Sequence, residues 1–422
     1  MITLNNDLPT NAMKWGDSMR LSASCISCFK ACPMRFFLQY ECGLQPAQET
    51  EALRIGTVYH TCREILSRGP GGLCPSSRPD HPCKDTCYIC GGTQVIEADP
   101  MDSITHFLNA RYESMPEWFD GEEMKIERAM ILHAMVGYKW YYQNDTLVTK
   151  ATELKAESPL FNPRAHRCVQ DCVLVYKIDS MCEWNGAPGI GENKTTTKSV
   201  ALDSDYWSNL RMATQPALYI YNTQKAQRAG LLEPWGIKAT DPLINKVLYD
   251  VFHKPGIGPK NLTQGASLEF AQTGQYCGGE FQVEVSRGVD DAEVIHVNGE
   301  LATYEPGKKA GTFAIRETPD MFGARFLQDI SERPLFYFAR REIEKTDADM
   351  IAFEHELYNI YRAITNYRKS KSWFKNEQQC EATFKCPFMS LCYNNVVVTV
   401  ESAKTNTPVG FKVYQPETEE AK

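Results

Sequence analysis

Three residues in the middle of the chain have the types and spacing for joint hydrolytic chemistry. Asp179 and Glu192 flank the dipeptide Asn185-Gly186, and Lys194 follows two positions after Glu192. Asn-Gly between apolar stretches is a strong signal for a two-residue β-turn. With that dipeptide at the tip of a hairpin, Trp184 faces Ala187, and counting outward brings Asp179 opposite Glu192. Opposed β-carbons lie about 4.5–5.5 Å apart, where two carboxylates repel one another. A divalent cation between them turns repulsion into ligation, and hard oxygen donors suit Mg²⁺ or Mn²⁺. Pro188 and Gly189 are the residues able to bulge the strand and break this register. Lys194, two residues beyond Glu192, shares its face. There it can orient an attacking water or stabilise charge on a phosphate, while the cation lowers the water's pKa and polarises the phosphate. On its own, this spacing more often marks an ordinary charged strand face.

The elements around this hairpin must hold it. Ser22 or Ser24 caps a first helix reaching Phe36 to Tyr40, which Pro33 kinks or interrupts. Residues 52–67 read as a second helix ending at Gly69-Pro70-Gly71-Gly72. Residues 102–145 read as helical with a break near Pro116. The period then changes. Residues 152–161, 168–182 and 190–197 read as strands, 205–229 as a helix, and 241–253 as a further strand. Residues 254–315 show no clear period and are expected to be an insertion. Helical pattern returns over 319–333 and 347–371. Helices flanking a small central sheet make an α/β class. No internal repeat is present.

Composition narrows the setting. The chain has 422 residues, and 43% of them are hydrophobic, enough for a sizeable core. No apolar run approaches the roughly 20 residues that span a bilayer. Met1 to Thr10 lacks the pattern of a signal peptide. A cytoplasmic, reducing location is the simplest expectation, and there clustered cysteines point to metal or chemistry rather than disulfides. Of 16 cysteines, Cys42, Cys62, Cys168, Cys172, Cys182 and Cys277 are scattered and read as small buried hydrophobes. Cys74, Cys83, Cys87 and Cys90, with His81 nearby, form one dense group that suits a closed tetrahedral zinc site. Its Cys87-x-x-Cys90-Gly-Gly ending resembles a zinc knuckle, and free thiols in a loop are the plain alternative. Cys380, Cys386 and Cys392 form a second group near the carboxyl end. The net charge of −8 argues against a protein that coats nucleic acid, though not against a local basic channel.

Several segments in order change the odds for the hairpin. Leu21 to Tyr40 with its Cys-Pro, Gly56-Thr-Val-Tyr-His60, Tyr176-Lys-Ile-Asp179, Glu192-Asn-Lys194 and Gln215-Pro-Ala-Leu-Tyr219 together resemble the RecB-type branch of the PD-(D/E)XK nucleases. Within that branch the chain looks similar to the AddB nuclease and the CRISPR-associated iron–sulfur exonucleases. The resemblance implies a restriction-endonuclease-like core over about 18–393, with a Cys-rich insertion at 69–93 and a tail at 394–422. It implies that His60, Asp179 and Glu192 hold the catalytic metal and that Lys194 is the catalytic lysine. Gln215 and Tyr219, one helical turn apart, would contact DNA or position the lysine. Pro216 departs from the pattern, because proline inside a helix kinks it. Glu157 stands where the family often has an acidic residue, and surface charge is an equal reading.

The resemblance also implies that Cys380, Cys386 and Cys392, with the distant Cys32, hold a [4Fe–4S] cluster. Cys25 and Cys28 are rivals for the fourth place. Four thiolates suit such a cluster or zinc on chemistry alone. Residues 361–375 carry five Lys or Arg, four aromatics and no acid. That mixture suits single-stranded nucleic acid, with Arg368, Lys369, Lys371 and Trp373 as candidate DNA contacts, and equally suits a solvated helix face. The implied activity is a metal-dependent DNA exonuclease at single-stranded ends, serving recombination, repair, CRISPR adaptation or phage DNA processing. No phosphate-loop motif is present, so unwinding falls to a separate helicase or recombination partner. The rival readings are a non-catalytic DNA-binding subunit that keeps the fold, and a structure- or site-specific endonuclease.

Overall fold

A computed structural model describes residues 3–4, 18–77, 82–115, 119–287, 293–309, 311–382 and 385–414. A seven-stranded mixed sheet forms its centre. The strands are β1 (Thr3–Leu4), β2 (Met19–Leu21), β3 (Val148–Asn162), β4 (Arg167–Trp184), β5 (Ala187–Thr196), β6 (Lys246–His253) and β7 (Phe338–Glu344). They lie in the order β1-β3-β4-β5-β6-β7, and β2 adds in parallel against β4. The β3-β4-β5 meander is antiparallel, β5 and β6 run parallel, and β7 closes the edge antiparallel to β6. The parallel β5–β6 step needs a helical crossover. Helices Asp205–Met212 and α5 (Thr214–Arg228) supply it. The other principal helices are α1 (Ala23–Ala31), α2 (Glu51–Arg68), α3 (Pro100–Glu113), α4 (Gly121–Tyr141), α6 (Pro319–Glu332) and α7 (Asp347–Ser370).

The sheet is covered on both faces, which explains its near-continuous apolar inner strands. On one side Ile26 of α1, Leu218 of α5 and Leu357 of α7 pack with Leu174, Ile190 and Val247. On the other, Val58 and Tyr59 of α2, Ile131 of α4 and Phe326 of α6 pack with Phe252 and Phe338. The mixed α/β architecture is that of a restriction-endonuclease-like core, as expected. Residues 254–315 hold a helix, Gln264–Thr273, and short strands around a separate core of Phe270, Ile295, Phe313 and Met321. Beyond residue 393 the chain folds back, and Phe411–Val413 pairs with Leu44–Pro46.

Local sequence accounts for the boundaries. Ser22 caps α1 by accepting the N–H of Cys25, and α1 ends before Cys32-Pro33, where Pro33 opens a new helical turn. The reading of one helix over 205–229 is corrected. Ala213 is extended and separates two helices, so Pro216 falls in the first turn of α5, where its missing N–H costs no hydrogen bond. The expected break near Pro116 falls outside the described residues, and helices end and begin on either side of it at Glu113 and Gly121. Strand β7 carries no clear period in its sequence. Its Arg340 side chain is nonetheless only 6% exposed, paired with Asp250 of β6 and with Asp145.

Candidate active site

The β4–β5 hairpin sets the site. Trp184 pairs with Ala187 and the ladder runs to Ser180 opposite Gly191, with no bulge at Pro188 or Gly189. Asn185 and Gly186 form the turn with φ of 52° and 76°, both in the left-handed region that the Asn-Gly pair tolerates. The same register carried one pair further places Asp179 opposite Glu192. There the ladder gives way to a side-chain bond, in which the Asn193 N–H donates to Asp179 Oδ2 at 2.8 Å.

Four further side chains converge. His60, from α2, puts Nδ1 3.3 Å from Asp179 Oδ2. Thr50 caps α2 and the helix lies against β5, with Gly56 facing Thr195. Lys194 donates to Glu192 Oε1 at 2.7 Å. Gln215, in the first turn of α5, donates to the same oxygen at 2.7 Å and to the Tyr219 hydroxyl at 2.9 Å. Pro216 therefore does not displace Gln215.

The electrostatics are those of two carboxylates under strain. Burial pushes Glu192 up to about 7, Asp179 adds to the push, and Lys194 opposes it. Burial also opposes the charge of Asp179, but His60 and the Asn193 N–H outweigh it and hold that carboxyl below its usual range. Burial works against the Lys194 ammonium, yet Glu192 holds its pKa above the ordinary lysine value. Tyr219 is buried and kept neutral, first by burial and then by the Glu192 charge.

The donor set suits a hard divalent cation. Glu192 is 3% exposed, and its Oε2 is buried without a hydrogen-bond partner among the described residues. A buried, unpartnered carboxylate oxygen beside a second carboxylate and an imidazole is a costly arrangement that ligation would relieve. With Glu192 Oε1 engaged by Lys194 and Gln215, one donor each from His60, Asp179 and Glu192 do not gather within 4.8 Å. A cleft of about 430 Å³ opens beside Lys194, Gln215 and Tyr219, lined also by Ser24, Ser27 and Lys177.

Behind the site stands a buried ion cluster that the sequence did not announce. Arg63, one turn after His60 on α2, donates to Asn193 Oδ1 at 3.2 Å and Asp250 Oδ2 at 3.0 Å. Arg340 and Tyr138 donate to the same Asp250 oxygen at 2.8 and 2.6 Å. Asn193 thus links the cluster to Asp179 through its own backbone N–H. The i, i+3 spacing of His60 and Arg63 was the available signal. Glu157 takes no part in the site and pairs with Arg20 of β2.

The C-terminal cysteines and Cys32 come to one region. Burial pushes the Cys386 and Cys392 thiols up, and the nearness of Cys32 and Cys380 to each of them adds to it. The Asn376 N–H donates to Cys32 Sγ at 3.4 Å across 344 residues of sequence. Cys28 also feels Cys32 and Cys386, whereas Cys25 is fully buried against Arg20 and Cys172. These sulfurs are not drawn in to the spacing of a single ion. Among the described residues, Cys74, Cys83, Cys87 and Cys90 are so drawn in, with all four sulfurs within 4.8 Å of one another. His81 lies outside the described residues.

In the basic stretch, Arg368 is occupied by buried Glu41, with contacts of 2.8 to 3.1 Å. Trp373 is packed among Phe36, Phe37 and Tyr367. Lys369 and Lys371 stay exposed. Among the described residues, no helix is long and apolar enough to cross a membrane.

No curated protein matches the sequence. A family model described as the PD-(D/E)XK nuclease superfamily matches residues 20–393. That span takes in the central sheet from Arg20 of β2 onward, both layers of helices and every residue of the site. The chain belongs to the PD-(D/E)XK nuclease superfamily, a family of metal-dependent nucleases.

Proposed function

We propose that the protein is a Mg²⁺- or Mn²⁺-dependent DNA exonuclease working at single-stranded ends, in the cytoplasm, beside a separate helicase or recombination partner. Recombination, repair, CRISPR adaptation and phage DNA processing are the settings such an activity serves. The observation that carries the reading is Glu192, buried beside Asp179 with one carboxylate oxygen unpartnered. His60, Asp179 and Glu192 would hold the cation. When bound, it supplies a Lewis acid for the phosphate and an acidified water. Lys194 would face the substrate phosphate from the cleft and balance its growing charge. Gln215 donates to both Glu192 and Tyr219, so its amide would hold the carboxylate in place for the cation.

Cys32, Cys380, Cys386 and Cys392 would hold a [4Fe–4S] cluster of structural purpose, joining the end of α1 to the C-terminal loop. Closing so long a loop removes much unfolded-state freedom. The Phe374 carbonyl accepts the Met34 N–H, Asn376 donates to the Ala31 carbonyl and Lys375 to that of Cys392, which draws the same segments together.

The test uses protein purified without oxygen and end-labelled linear DNA, with circular single-stranded DNA in parallel. Linear strands should be degraded in Mg²⁺ or Mn²⁺ and circles left whole. Asp179→Ala and Lys194→Ala should abolish degradation. Cut circles would favour an endonuclease, and unchanged activity in either variant would remove the active-site assignment. A protein without visible absorbance and without iron would remove the cluster.

A further inference from the structure

Residues 69–96 make a long connection between α2 and α3, and little of its described part is regular structure. Among its described residues, Leu73 and Val95 make an isolated bridge, and the others lie in turns, bends or irregular segments. Loops of this length without secondary structure are uncommon in compact domains. A segment so short cannot repay its ordering entropy from its own apolar core, and disulfides or metals usually make up the difference. Yet this loop is ordered inward. Cys74, Ile89, Cys90 and Ile96 are buried in the cluster that also holds Ile55, Val58, Tyr59, Cys62 and Ile65 of α2.

At its centre the four thiols meet. Cys74 and Cys87 sulfurs are 3.8 Å apart, and Cys83 and Cys90 sulfurs 3.3 Å. A tetrahedral zinc ion with bonds of about 2.3 Å spaces its sulfurs about 3.8 Å apart. An iron–sulfur cube puts each thiolate on a different iron and needs them further apart. The backbone is shaped for anionic sulfur. The N–H groups of Gly92 and Gln94 are aimed at the Cys90 sulfur. Gly91, Gly92 and Gln94 take positive φ of 56°, 92° and 68° to bring them there. A Cβ on Gly92 would lie 2.7 Å from Asp85 Cα, so the Gly-Gly turn cannot be replaced freely. Gln94 also clamps Cys83, donating to its carbonyl at 2.7 Å and accepting its N–H at 3.0 Å. Arg68, in the last turn of α2, donates to the Leu73 carbonyl at 2.9 Å and that of Cys74 at 3.5 Å.

We propose that Cys74, Cys83, Cys87 and Cys90 hold one zinc ion that fastens the 69–96 loop to the outer face of α2, the helix carrying His60. The site is closed and structural, with four thiolates and no open position for a substrate. It is separate from the iron–sulfur ligands and does not depend on the nuclease reading.

The experiment is elemental analysis and zinc-edge X-ray absorption on the full chain, purified without oxygen and without added metal. About one zinc per chain with four sulfurs near 2.3 Å is expected. Cys87→Ser with Cys90→Ser should remove the zinc and leave any iron. Cys380→Ser with Cys392→Ser should leave the zinc in place. On the wild-type protein, chelation should open the 69–96 loop to protease, and zinc should close it again. No zinc in the wild type, nitrogen or oxygen in its ligand shell, iron lost with the Cys87/Cys90 pair, or oxidised cysteine pairs in its place would each overturn the proposal.

Discussion

Glu192 is pulled two ways, and the balance can be measured. Burial and the neighbouring Asp179 hold its proton up to about 7. An unfolded glutamate loses its proton near pH 4.3 or so. The folded chain therefore binds more protons between those values, and this group withdraws stability as pH rises from about 4.3 to about 7. A cation on the carboxylate must displace that proton and cancels the loss. Stabilisation by Mg²⁺ should thus be larger at about pH 8 than at about pH 6, with apparent affinity roughly tenfold weaker at the lower pH. Thermal melts with and without Mg²⁺ read this, and Glu192→Gln should abolish both the shift and its pH dependence. Equal shifts in the two buffers would contradict the ligand role. At this scale the sequence was informative. Asp179, Glu192 and Lys194 were legible because a two-residue turn fixes register and strand period fixes faces. Asn193 was not legible, since its bond to Asp179 uses a backbone N–H that every residue type except proline offers, and its side chain depends on Arg63, 130 residues away.

Helix α2 is held as an element by charge on one side and shape on others. Asp250 is fully buried, and although burial opposes its charge, Arg63 and Arg340 hold its carboxyl below the usual range. Removing one member of a buried ion cluster leaves the others uncompensated. Asp250→Ala should cost about 3–5 kcal/mol in denaturant unfolding. A loss below about 1 kcal/mol, typical of exposed pairs, would show the cluster to be dispensable. A second clamp joins Arg54 of α2 to Glu127 of α4 by bonds of 2.9 and 2.7 Å, and Tyr112 completes it. Between α4 and α6 the contact is steric. A Cβ on Gly323 would strike the His133 ring, and one on Gly137 would come within 2.7 Å of Ile330. Gly323→Ala should cost about 1–3 kcal/mol, and adding His133→Ala should return much of it. Additive losses would show that the two residues do not meet. Helix α2 was legible from its apolar spacing and its Gly-Pro-Gly-Gly stop. The split at Ala213 had one signal, Pro216, which belongs in a first turn and so marks a helix start just upstream; read as an interior kink, it hid the break. Strand β7 was missed because its burial depends on Arg340 finding Asp250, a partner ninety residues away in sequence.

The whole molecule is a mixed sheet between two helical layers, with the site where β4, β5, α2 and α5 meet. Each layer supplies part of it. The α5 side brings Gln215 and Tyr219, and the α2 side brings His60 and, through Arg63, the support for Asn193. The fold class was legible because strand and helix periods alternate along the chain. The separate core of 254–315 was not, because its strands are short and mostly exposed, leaving little period to read. In the function proposed above, this meeting point hydrolyses DNA through a carboxylate-held cation. Its most direct test is digestion of end-labelled DNA in Mn²⁺ by the wild type, Asp179→Asn, Glu192→Gln and Lys194→Met, with DNA binding followed in parallel. Each variant should still bind DNA while its cleavage rate falls by at least ~10²-fold. Cleavage at the wild-type rate by any of the three, with binding unchanged, would contradict that function.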